Sequence, residues 1–114
     1  MYIGIDLGGT NLHAGVVGDD GRLLRTNVAK HLGSNVLAEL KAAVSDLKQA
    51  YPDVKGLGLA VPGQIDPRTG ELLLVTNLRS LEGLNLGREL ANLTGLPVRV
   101  ENDAVAAALA EGWV

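Results

Sequence analysis

The sequence predicts an α/β domain on a mixed sheet, in which a three-stranded antiparallel meander is extended by parallel crossovers and flanked by about three helices. Three observations predict it. Over 2–7, 12–17 and 23–29 apolar residues form short runs bounded by glycine-rich turns, as strands do. Over 35–51 the apolar residues recur at helical spacing instead. From there to residue 110, strand-like and helix-like stretches alternate, the order that crossover connections require.

Each element has its own signal. In the first strand Tyr2, Ile3, Ile5 and Leu7 are interleaved with Gly4 and Asp6, and the run stops at Gly8-Gly9. The second ends at Gly18-Asp19-Asp20-Gly21, a strong turn, and the third follows it, giving two consecutive hairpins. Between 35 and 51, Val36, Leu37, Leu40, Ala43, Val44, Leu47 and Ala50 make one face of an amphipathic helix, with Glu39, Lys41, Asp46 and Lys48 opposite. Ser34 or Asn35 can cap its start, and Pro52 closes it. Residues 54–61 read as a buried strand, and 62–70 as a long polar loop leaving it. A short strand over 72–75, a helix over 86–93 ended by Gly95 and Pro97, and a short strand over 98–100 follow. The last element, 104–110, is an alanine helix with almost no polar face, expected to pack closely on more than one side.

At 114 residues the chain reads as one domain, 1–114, large enough to bury a core without staples. It has no cysteine, which excludes disulfides, thiolate zinc sites and cysteine nucleophiles. The ten basic residues are spread evenly against 13 acidic ones, and only Tyr2, Tyr51 and Trp113 are aromatic, so nucleic acid is not an expected partner. No apolar run approaches the roughly 20 residues that span a bilayer, and there is no signal-peptide pattern at the start; a cytoplasmic protein, away from membranes, is expected. Glycine is the outlier, 15 of 114 against a usual share of roughly 7%, which points to tight turns and close backbone approach.

Three segments could offer chemistry. Asp6-Leu7-Gly8-Gly9-Thr10 sets a carboxylate at a strand end before a glycine turn. Glycine lets N–H groups approach an anion, Thr10 adds a hydroxyl, and Asp6 would act on phosphates through Mg²⁺; a plain hairpin turn explains the same residues. Asn102-Asp103 stands between a strand and a helix. There a carboxylate can take a proton from a hydroxyl, but Asn and Asp are equally the preferred helix caps, and both readings stay open. Pro62-Gly63-Gln64-Ile65-Asp66-Pro67 is rich in turn dipeptides, and Asp66 reads as a turn residue. His13 and His31 read as structural or surface residues, with no ligands at metal spacing nearby.

In this order and spacing, Ile5-Asp6-Leu7-Gly8-Gly9-Thr10, Gly58-Leu59-Ala60-Val61-Pro62-Gly63-Gln64-Ile65-Asp66, Thr76-Asn77-Leu78 and Val100-Glu101-Asn102-Asp103-Ala104 resemble the ROK family of sugar kinases and repressors. The resemblance covers nearly the whole chain and implies an actin-like ATPase, ribonuclease-H-like lobe. It further implies a glucokinase-type reaction in which ATP with Mg²⁺ phosphorylates the 6-hydroxyl of a hexose, glucose foremost. Asp103 would be the general base and Asn102 a holder of sugar hydroxyls, with Gly63 and Asn77 beside the sugar. Asp6, Gly8, Gly9 and Thr10 would face the phosphates and metal. Asn11 stands where the family often has lysine. Only five residues precede Asp6, which leaves no room for the helix-turn-helix of the repressor branch and favours the kinase branch. Family kinases continue into a second lobe with more ligands, a zinc site and a final helix. With Val114 as the last residue, the expectation is an N-terminal lobe, inactive or very weak alone, without tightly bound ATP, and homo-oligomeric through surfaces the second lobe would cover. The alternative is a non-catalytic sugar-binding or oligomerisation module derived from such a protein.

Overall fold

Strict alternation in β1 (Tyr2–Leu7) sends Ile3, Ile5 and Leu7 to one face and Tyr2, Gly4 and Asp6 to the other, and the domain is organised around that division. The structure, a computed structural model, describes residues 1–8, 11–30, 36–61, 64–65, 68–69, 72–74, 85–101 and 103–113. β2 (Asn11–Val17) and β3 (Leu23–Lys30) complete the antiparallel meander. β4 (Leu57–Ala60) and β7 (Val98–Glu101) add in parallel, giving one five-stranded sheet in the order β3-β2-β1-β4-β7. Each parallel addition follows a helix, α1 (Val36–Ala50) before β4 and α2 (Leu86–Thr94) before β7.

Both of these helices cover the same face. Val36, Leu40, Val44 and Leu47 of α1 and Leu86 and Leu90 of α2 are buried against Ile3, Ile5, Leu7, Leu12, Ala14, Val16, Leu57 and Leu59. Burying one such leucine or isoleucine stabilises by about 1.5–3 kcal/mol, so this layer supplies most of the driving force. The helix ends are tied as well. Asn85 caps α2 by accepting from the Arg88 amide at 3.1 Å, and Gly95, at φ 73°, closes it with its N–H on the Ala91 carbonyl. Lys48 donates to the Thr94 carbonyl at 2.9 Å, fastening α1 to the negative end of α2.

On the opposite face lies α3 (Ala104–Glu111), packed on β7, β4 and β1. The expectation that it packs on more than one side is corrected for the described residues. Ala108 is buried, whereas Val105 and Leu109 are 50% and 57% exposed. An all-apolar helix reveals that it can be buried, not how many neighbours it finds. Beyond Glu111, Gly112 takes φ 77° and the Trp113 amide donates to the Ala108 carbonyl, folding the indole back over Gly56.

Two further expectations change. The polar loop over 62–70 contains β5 (Gln64–Ile65), which pairs antiparallel with β6 (Leu72–Leu74) as a separate ribbon. A two-residue strand has too few positions to show a period. The strand expected over 54–61 is narrower, Leu57–Ala60: the Val54 amide turns back to the Tyr51 carbonyl after α1, while Lys55 and Gly56 still exchange backbone hydrogen bonds with Met1 and Ile3. Ser34, Asn35, His31 and Asp66 lie outside the described residues. No helix of the described residues is long and apolar enough to cross a membrane.

Leu59, fully buried on the interior strand β4, gives the first test. Leu59→Ala should lower the unfolding free energy by about 2–5 kcal/mol in urea titration. A second test concerns Tyr2, whose ring is fully buried and whose hydroxyl has no hydrogen-bond partner among the described residues. Burial, with a smaller contribution from the Asp103 charge, pushes its phenol above the ordinary value of about 10. The fold therefore favours the neutral phenol. That stabilisation is whole below about pH 10 and drains away as pH rises from there toward the raised value. Tyr2→Phe should leave the Tm at pH 7 unchanged or higher and should remove this alkaline loss, read by thermal melts across pH 8–11.

Candidate active site

Because β1, β4 and β7 run parallel, their carboxyl ends form one edge of the sheet, the edge at which α/β proteins commonly bind ligands. Asp6 is paired in register with Ala60, and Ala60 with Glu101. With strands roughly 4.8 Å apart, Asp6 and Glu101 stand about 10 Å from one another across β4. All three positions belong to the α3 face of the sheet, since Leu59 and Leu7 point into the core.

Asp103 follows two residues after β7 and caps α3, its Oδ1 accepting from the Val105 amide at 2.8 Å. The capping reading is therefore realised. It does not displace the chemical one: a carboxylate offers about four acceptor sites, and the cap holds the exposed group in a defined orientation at the sheet edge. Asp6 is exposed, and among the described residues no hydrogen bond or ion pair holds its carboxylate. A single exposed carboxylate fits Mg²⁺, a hard cation that keeps most of its waters and shares the rest of its shell with phosphates. Among the described residues no cluster of three or more metal-ligating side chains forms.

The glycine turn is more specific than the sequence suggested. The Gly8 amide donates to the Asn11 carbonyl at 2.8 Å, so it closes the hairpin, and a Cβ at Gly8 would come within 3.2 Å of that oxygen. Gly9, Thr10, Gly63, Asn77 and Asn102 lie outside the described residues. The structure thus places Asp6, Gly8 and Asp103 along one edge of the molecule.

Three neighbours were given no part in the chemistry by the sequence. Glu101 lies on the same face as Asp6 and is held by Arg99, Nε at 3.0 Å and a terminal nitrogen at 2.9 Å, an i, i+2 pair that strand alternation brings together. His13 faces Asp6 directly across the β1–β2 ladder and is exposed, a relation set by hairpin register. Tyr2 lies near enough to Asp103 for its phenol to sense that charge. Beside α3 the same face carries a groove of about 210 Å³, floored by Gly4 and Gly15 and walled by Tyr2, Val17, Leu23 and Val105.

Comparison with known proteins gives this edge a context. The chain is 38% identical over 112 residues to a beta-glucoside kinase of Listeria monocytogenes, a match that covers 96% of the chain and 37% of the relative. It is 37% identical over 118 residues to a glucokinase of Thermotoga maritima, covering 97% of the chain and 36% of that protein. The chain thus spans little more than a third of the length of these relatives. Among solved structures it superposes with a TM-score of 0.79 and 33% identity on a ROK family glucokinase from Streptomyces griseus in complex with glucose and AMPPNP, covering 98% of the chain and 36% of that one. The mixed sheet with helices on both faces is the actin-like lobe that the sequence motifs implied. The model of the ROK family matches residues 2–114, and the chain belongs to that family.

Proposed function

We propose that this chain is the N-terminal lobe, residues 1–114, of an ATP-dependent hexose kinase of glucokinase type, with Asp103 as general base toward the sugar 6-hydroxyl. The observation that carries the reading is the oriented Asp103 carboxylate at the same sheet edge as Asp6, in a chain of a family whose sequenced and solved relatives include glucokinases. ATP with Mg²⁺, when bound, supplies the phosphoryl group and neutralises its charge.

The chain's own residues do the rest. The Val105 amide fixes the Asp103 carboxylate, so the hydroxyl is met by an acceptor whose orientation is settled before substrate arrives. As the hydroxyl oxygen bonds to phosphorus and ADP departs, its proton passes to Asp103. Asn102, Gly63 and Asn77 are proposed to hold the sugar in place. Asp6 is proposed to hold the metal, beside the turn of Gly8, Gly9 and Thr10. An ATP-dependent kinase works where ATP is held, which puts the protein in the cytoplasm. The sugar ligands of one lobe are proposed to bind hexose weakly, and the chain alone to turn over little or no ATP.

Calorimetric titration with glucose tests this. The chain should bind in the millimolar range, and Asp103→Ala should weaken binding at least tenfold with the Tm unchanged or lowered by only a few degrees. Equal affinity in the two proteins, or no binding by the parent chain, would overturn the assignment. In a coupled assay, phosphorylation by the chain at a rate near that of an intact sugar kinase would sink the claim of inactivity.

The exposed apolar residues Leu23, Val28, Val105 and Leu109, together with the groove between α3 and β3, support self-association. Sedimentation velocity should show a dimer or higher oligomer that grows with concentration. Strictly monomeric behaviour at high concentration would exclude it.

A further inference from the structure

Gly4 and Gly58 sit side by side in register on β1 and β4, on the face that receives α3, yet they are not equivalent. A Cβ built on Gly4 would meet Tyr2 Cε2 at 3.6 Å and Ala104 Cβ at 4.0 Å, ordinary contacts. A Cβ built on Gly58 would lie 2.6 Å from the Ala104 carbonyl oxygen, 3.4 Å from its carbonyl carbon and 3.5 Å from its Cα. These are backbone atoms of the first residue of α3, so no change of rotamer can relieve the clash.

We propose that Gly58 is a positioning residue for Asp103: its missing side chain seats the first turn of α3 on β4 and thereby sets where the carboxylate stands at the sheet edge. The link from seat to carboxylate is short. Ala104 adjoins Asp103, and the next residue, Val105, donates its amide to Asp103 Oδ1. Any lift of Ala104 is transmitted to that oxygen through one peptide unit and one hydrogen bond. At the other end of α3, a Cβ on Gly56 would fall 2.3–2.6 Å from the Trp113 indole, a side chain that can turn away. Of Gly4, Gly56 and Gly58, it is Gly58 whose contact with α3 is backbone against backbone and lies next to Asp103. Displacements of about 1 Å at a reacting group can cost about 10²-fold in rate.

The test compares Gly58→Ala, Gly4→Ala and Gly56→Ala in the 114-residue chain. Two readouts are taken: the NMR shift of the Val105 amide as the Asp103 carboxylate is titrated with acid, and glucose affinity by calorimetry. Gly58→Ala should abolish or strongly reduce the Val105 response and weaken glucose binding at least tenfold. Gly4→Ala should keep both within about twofold of the parent. Gly56→Ala should alter the fluorescence of Trp113 and leave both unchanged. A Gly58→Ala chain that keeps the parental Val105 response would overturn the inference. The glucose arm rests on the function proposed above. If the parent binds no glucose, that function falls, and the Val105 response alone decides the seat. Should Gly58→Ala not fold, the parent chain still decides: strong NOEs from Gly58 Hα to Ala104 protons are expected, and their absence would overturn the seat.

Discussion

The burial of one face of β1 and β4 beneath α1 and α2 is the constraint from which the other features follow. Ile3, Ile5 and Leu7, with Leu57 and Leu59, can leave water only together, because the two strands are parallel and in register. Once they are buried, the side-chain period of two leaves no choice for the intervening residues. Gly4, Asp6, Gly58 and Ala60 must take the opposite face. The polar chemistry is on that side because the apolar chemistry has claimed this one.

The second face answers a different demand. It receives α3 at close range, and close range needs glycine where backbone meets backbone. A larger residue at Gly58 would hold α3 away from the sheet, whereas Gly4 mainly leaves space beneath Tyr2 and beside the groove. Tyr2 fills much of that space with a fully buried ring. Its hydroxyl lacks a partner among the described residues, an arrangement that costs stability locally and that the core opposite offsets.

Electrostatics at the edge follows from geometry more than from strong pairing. Arg99 and Glu101 form an exposed pair of the kind worth little to folding. Its effect is to occupy one carboxylate, leaving Asp6 and Asp103 as differently held acids: the second bound by its helix, the first without an ion pair or hydrogen bond among the described residues. Such a division suits two distinct roles at one edge.

Much of the fold was legible from residue order. The meander was readable because Gly18-Asp19-Asp20-Gly21 and the Gly8 turn punctuate apolar runs, and α1 because its apolar stripe is sustained over four turns. The stop of α2 was readable too, from Gly95, whereas its Asn85 cap was not singled out. The short strand expected over 72–75 appears as β6, but its partner β5 was not legible, because a two-residue strand displays no period, and the exposure of Val105 and Leu109 on α3 was not, because valine and leucine suit burial on any side. For the site, the order of residues set the chemical types: a carboxylate at a strand end, glycines at a turn, Asn-Asp before a helix. It left the choice between capping and chemistry at Asp103 undecided, since both use the same oxygens. Tertiary structure alone decided which strands share an edge, that Glu101 and His13 join Asp6 on one face, and which of two neighbouring glycines meets the backbone of α3. Those are relations between segments distant in the chain, and they exist only once register and helix docking bring the segments together.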